Sequence, residues 1–109
     1  MTYAQISDII AGTGIPYAYY QFPNKTEQEP PFICFFYPER NDFIADNSNY
    51  SKITALAIEL YTNEKDFTVE NTVEQALEEA GFVYRKEETY IDSERLYEVI
   101  YSTEVLING

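Results

Sequence analysis

Histidine, the commonest general base and the commonest metal ligand, does not occur in this sequence. The single cysteine, Cys34, has no imidazole to activate it, and Ile33, Phe35 and Phe36 give it an apolar setting that raises a thiol's pKa and leaves it inert. It reads as a packed core thiol. Carboxylates remain. The pairs Glu78-Glu79 and Glu87-Glu88 have the residue type of glycosidase acid/base machinery, but adjacent side chains on a helix or strand do not converge on one substrate, so they read as solvated faces. The stretch DFIADNSNY has the composition of a calcium loop. Counted from Asp46, however, its sixth position is Ser51 where glycine is required, and its twelfth is Ala57 where a bidentate Glu is required. Gly12 and Gly14 lack the rest of a phosphate-binding fingerprint and follow a helical pattern instead of a strand. This inventory argues against an enzyme and supplies no set of residues for a cofactor or metal.

The elements that would carry these residues can be read from periodicity. Thr2 and Gln5 fit a capping box, Ile6, Ile9 and Ile10 follow at helical spacing, and Gly12 suits the stop. The aromatic run Tyr17 to Phe22 reads as a short strand ending at Pro23, and Phe32 to Tyr37 as a second strand bounded by prolines. In that second strand Phe32, Cys34 and Phe36 alternate with Ile33, Phe35 and Tyr37, so both faces are apolar. Glu39 to Asn49 shows no regular period and reads as a loop bearing Phe43 and Ile44. Tyr50 to Tyr61 is the longest strand pattern, again apolar on both sides. Val69, Val73, Ala76, Leu77 and Ala80 mark a helix with Glu70, Glu74 and Glu78 outside its apolar stripe, and Gly81-Phe82 marks a Schellman stop with Phe82 folding back on Leu77. Two strands joined near Asp92-Ser93 complete the chain. The expectation is an α+β fold of one domain, residues 1–109: a five-stranded, mainly antiparallel sheet with both helices on one face, in the order αβββαββ.

Composition sets limits on partners and compartment. Nineteen acidic against seven basic residues give a net charge of -12, which argues against gripping nucleic acid through its phosphates. No apolar run approaches the roughly 20 residues needed to cross a bilayer. One cysteine and no secretory leader predict a cytosolic protein, in which the triplets Asn24-Lys25-Thr26 and Asn49-Tyr50-Ser51 are chance matches to a glycosylation site. Eleven Tyr and seven Phe are many for 109 residues, and tyrosine suits surfaces that are wet in one state and buried in another. Two helices of about three turns cover at most one face of five strands. The surplus apolar surface therefore points to self-association.

The strings GIPYAYYQF, PPFICFFYP, NDFIADNSNY, LAIELYTNEKD and YIDSERLYEVIYSTEVLI, taken in order, resemble the small tail completion, tail terminator or head-tail joining proteins of tailed bacteriophages and prophages of Gram-positive bacteria. The resemblance spans about Tyr3 to Ile107. It implies a non-enzymatic minor structural protein of the virion, present in the host cytoplasm during assembly, whose copies form a ring of typically six on the tail tube and meet the head connector. No cofactor and no active-site motif come with it, and neither direct nucleic-acid binding nor membrane association is expected. Phe43, Ile44, Phe35, Tyr37 and Tyr50 are the candidate interface residues, and the loops Pro23 to Pro30 and Glu39 to Asn49 are expected to order against a neighbour. Glu70, Glu74 and Glu78 are expected on a solvated, negative surface. The alternative is an acidic phage-encoded inhibitor that mimics DNA, suggested by the charge alone; a hydrolase using paired carboxylates is weaker still.

Overall fold

The computed structural model describes residues 1–22, 28–41, 43–45 and 48–108, with backbone alone for 43–45 and 48–51. The triplet at Asn24 and Asp46 of the calcium-like stretch lie outside the described residues, as does most of the expected loop Pro23 to Pro30. In chain order the elements are α1 (Tyr3–Ala11), β1 (Tyr17–Tyr19), β2 (Phe32–Phe36), β3 (Phe43–Ala45), β4 (Ser48–Thr62), α2 (Phe67–Glu79), β5 (Arg85–Ile91) and β6 (Leu96–Ile107).

Local signals fix both helices. The Thr2 hydroxyl accepts from the Gln5 N–H at 3.2 Å, and the Gln5 side chain accepts from the Thr2 N–H at 2.8 Å, which closes the capping box of α1. α2 begins two residues earlier than its apolar stripe suggests, because Asp66 caps it by accepting from the Val69 N–H at 3.1 Å. It ends in the Schellman pattern: Phe82 N–H donates to Leu77 and Gly81 N–H to Glu78, with Gly81 at φ +84.

The fold is α+β. Five strands run in the order β1-β2-β4-β6-β5. The sheet is mixed and not mainly antiparallel as expected: β1 lies parallel to β2, while β2–β4, β4–β6 and β5–β6 are antiparallel. A parallel neighbour requires a crossover of about a dozen residues, and residues 20–31 supply one. Part of the second apolar face of β2 is covered by the residues that follow β1: Tyr20 packs on Phe36 and Phe22 on Phe32, with ring centroids 5.2 and 5.5 Å apart.

The segment Glu39 to Asn49 is not a loop, and the element order gains a strand. β3 continues the path of β2 along the same side of β4, joined to it by the Arg40–Thr54 bridge and by backbone bonds from Ala55 to Glu39 and from Asn41 to Ile53. Three residues are too few to show alternation, and β3 is placed by its pairing with β4.

Cross-strand partners such as Ile33, Leu60 and Val99, or Phe35, Ile58 and Tyr101, share one face, and both helices lie on it. There Ile6, Ile10, Val73 and Leu77 join Leu56, Val105 and Ile107 in a single core cluster. On the opposite face Phe32, Cys34 and Ala57 are buried, whereas Glu104 and Leu106 are exposed. β4, at about 3.3 Å per residue, spans about 48 Å, which matches the molecule's longest extent of 50 Å. The radius of gyration of 15.0 Å exceeds the about 13 Å of a compact chain of this length. Residues 48–51 of β4, which pair with β3, lie beyond the residues that pair with β6.

Candidate partner interface

The densest group of ionisable side chains lies between α2 and β5. Lys65 contacts Glu70 at 2.5 Å and also Glu88; Lys86 lies 2.9 Å from Glu70 and 2.8 Å from Glu74; the Tyr101 hydroxyl donates to Glu74 at 2.7 Å. Glu70 is 2% exposed. The expectation that it belongs to a solvated surface is corrected: the approach to α2 and the start of β5 each bring a lysine to it. Glu74 is half-buried in the same cluster, while Glu78 is exposed and accepts from the Tyr84 hydroxyl at 2.8 Å.

Partial burial alone would lower Lys65, but Glu70 and Glu88 outweigh it and raise its pKa. Lys86 is raised chiefly by its hydrogen bond to Glu74. For Glu74, burial acts to raise the carboxyl, yet the bonds from Lys86 and Tyr101 hold it below its ordinary value. Burial, with Glu74 beside it, pushes Tyr101 above the usual tyrosine range. Every shift favours the resting ionisation state, which makes this a bracing network rather than a set of groups poised to exchange protons.

Apolar surface gathers elsewhere, at the β1 margin. Of the residues nominated from sequence, Phe35 is buried in the core and Tyr37 half-buried. The two belong to one aromatic cluster, 6.3 Å apart and edge to face, and Tyr3 and Tyr19 lie 4.9 and 5.7 Å from Tyr37. Tyr17 and Tyr19 also reach Phe35, at 6.4 and 5.3 Å. Tyr3, Tyr17 and Tyr19 remain substantially exposed, Tyr19 at 54%. Burial between Tyr19 and Tyr3 pushes the Tyr37 hydroxyl up to about 12. Phe43, Ile44 and Tyr50 lie on the β3–β4 hairpin, away from this margin along β4, and their side chains are outside the described residues. The structure therefore brings two nominated residues together and leaves the other three on a separate element.

Tyr3, Tyr17 and Tyr19 were missed as surface candidates. Alternating tyrosines in a three-residue strand could have signalled them, since an edge strand has no neighbour to cover its outer side.

No protein-family model matches the sequence, and no curated protein matches it. In solved structures the chain is similar to a chain of the virion of a native gene transfer agent (GTA) particle, with a TM-score of 0.63 over 93% of this chain and 84% of that one. The likeness is one of fold. Sequence identity across it is 12%, so what is shared is the arrangement of helices and sheet, not a conserved set of surface residues.

Proposed function

We propose that this protein is a non-enzymatic structural component of a phage or prophage particle: a tail completion or terminator protein whose copies close a ring, typically of six, at the head-tail junction. The observation that carries the reading is the fold shared with a virion chain along nearly the whole length. It agrees with the ordered strings of sequence that resemble tail completion proteins. A ring needs a heterologous contact, in which two different surfaces of one copy meet on the next. The tyrosine-bearing β1 margin and the β3–β4 hairpin that carries Phe43, Ile44 and Tyr50 are two such surfaces, and they lie apart on the molecule. Phe35 takes part from beneath, as the packing floor of Tyr17 and Tyr19. The expected partners are further copies of the chain, the tail tube and the head connector.

DNA mimicry is the less favoured reading, because it needs carboxylates displayed along one exposed surface. Basic residues interrupt the acidic ones, and Glu70 and Glu74, expected on the ring's solvated, negative surface, are held by Lys86 instead.

Each copy brings a charge of -12, so assembly must overcome mutual repulsion. Repulsion between exposed charges fades beyond about 8 Å at physiological salt, whereas apolar burial does not. Sedimentation velocity across concentration and salt tests the proposal. The expected result is a discrete ring-sized species that grows with both. A monomer at every concentration and salt, or larger species at low salt only, would overturn it.

A further inference from the structure

β6 is paired unequally on its two sides. β4 follows it from Tyr97 to Ile107, whereas the last β5 partner is Arg85, opposite Ser102. Before Arg85 the chain stands off from the ladder: Val83 is 90% exposed, and its carbonyl accepts from the Thr103 hydroxyl instead of from a β6 backbone N–H. Met1 closes the far end of the free stretch. Its nitrogen donates to the Leu106 carbonyl at 3.2 Å, and its carbonyl accepts from the Asn108 N–H at 2.9 Å.

The ladder fixes where the free groups point. The Ala55 N–H donates to Glu39 and the Ile53 carbonyl accepts from Asn41, so both residues turn their backbone groups away from β6. Their antiparallel partners, Glu104 and Leu106, therefore turn theirs away from β4. The N–H and C=O of Glu104 and the N–H of Leu106 have no hydrogen-bond partner among the described residues. They face an open groove of about 830 Å³. Its two sides differ. Met1, Phe82 and Val105 make an apolar wall on the helix side, continuous with the core. On the other side stand Leu106, Glu104 and Glu39. The Glu104 carboxylate has no partner among the described residues; Glu39 accepts from the Asn41 amide at 3.4 Å, and Arg85 lies 3.8 Å from Glu87.

We propose that this stretch of the β6 edge takes an extended segment of another protein as an added strand, with apolar side chains toward Phe82 and Met1 and a basic side chain beside Glu104. An open strand edge is a template for a further strand, whose own N–H and C=O groups match the free ones in spacing. A helix, its backbone groups already used, cannot supply them. Successive side chains of an added strand point to opposite faces, so one side meets the apolar wall and the next shares the face of Glu104. The unpartnered carboxylate there, within a net charge of -12, selects a basic residue. The proposal goes beyond the ring reading and does not depend on it, since this edge lies across the sheet from the β1 margin.

Amide-detected NMR of the full chain, titrated with the blocked peptide acetyl-Val-Lys-Val-Lys-Val-amide, tests the site. The same peptide N-methylated along its backbone and the charge-reversed acetyl-Val-Glu-Val-Glu-Val-amide are the controls. The expected result is a saturable shift and slowed hydrogen exchange at the Glu104 and Leu106 amides, with no response to the N-methylated peptide and weaker binding of the acidic one. Glu104→Lys changes an exposed side chain, leaves the ladder to β4 intact and should weaken binding of the lysine peptide about fivefold. Glu104→Pro also removes the free N–H, which the fold tolerates because that group faces away from β4; it should abolish binding and leave the sedimentation profile unchanged. No saturable response, slow exchange of both amides in the free chain, shifts scattered over the acidic surface, equal binding of either control peptide, or unchanged affinity in both variants would each overturn the proposal. Loss of self-association in folded Glu104→Pro would do so as well, by making a second copy of the chain the occupant.

Discussion

Lys86 is the residue on which most of the internal electrostatics turns, since Glu70 is almost fully buried and Glu74 half so. Replacing it with Met leaves the Glu70 charge short of a partner inside the protein. The expected loss of stability is about 2 kcal/mol, discounted from a fully buried pair because Lys86 is partly exposed. Urea unfolding of wild type and variant measures it. The sign of the pH dependence follows from Glu74, whose folded pKa lies below its ordinary 4.5. Its contribution is complete above 4.5 and is lost as pH falls through the folded value, so the gap between wild type and Lys86→Met should narrow in acid. Thr54 makes the opposite case. It is 2% exposed and its hydroxyl has no hydrogen-bond partner among the described residues, so Thr54→Val should stabilise the chain by about 1 kcal/mol in the same assay. Tyrosine titration followed by ultraviolet absorbance provides another check. Burial raises Tyr37 and Tyr84 to about 12 and Tyr61 and Tyr101 further still. At least these four should ionise late. Stability that Tyr37 and Tyr84 contribute is complete below their unfolded value of 10.0 and drains away between about 10 and about 12.

Among the elements, α2 depends on its ends. Its mean composition is polar, and its buried face consists of Val73, Leu77 and the paired Glu70. Asp66→Ala removes the N-cap and should cost about 1 kcal/mol, read as a lower midpoint in denaturant with an unchanged slope. At the other end Gly81 sits at φ +84 with open space around an added Cβ. Gly81→Ala therefore isolates backbone strain from crowding and should also cost about 1 kcal/mol. The Gly81 stop was legible in the sequence as a glycine after an apolar stripe, whereas that stripe marks the start only at Val69, two residues inside the helix. β3 was not legible. A three-residue strand without alternation carries no local signal, and it is specified by the backbone of β4 alongside it.

Over the whole molecule, shape and charge pull in different directions. A chain 50 Å long with tyrosines at one sheet margin and a hairpin reaching past β6 offers more contact surface than a compact domain, while a charge of -12 opposes association at low salt. Under the ring proposal, replacing Tyr17 and Tyr19 with Ser should abolish the large sedimenting species without unfolding the monomer. Both side chains stand at the margin, and the Phe35 beneath them stays in the core. Retention of the ring in that double variant would show that the β1 margin is not a contact surface.

The sequence by itself determined the features set by neighbours along the chain. These are the capping box at Thr2, the Schellman stop at Gly81, the long doubly apolar strand of β4, the alternation of β6, the burial of Cys34 and the absence of a histidine. Each is fixed within one or two turns of helix or a few residues of strand, where the period of the backbone is the whole cause. What only the tertiary structure decided are the pairings of residues far apart. β1 runs parallel to β2, and Tyr20 and Phe22 after it lie on the rings of Phe36 and Phe32. Glu70 is buried because Lys65 and Lys86 arrive from separate segments. The Tyr61 hydroxyl reaches Glu98 because β4 pairs with β6 along its length. Periodicity tells which side of an element is apolar but not which element will cover it; that depends on register and crossover, which form only when distant strands meet.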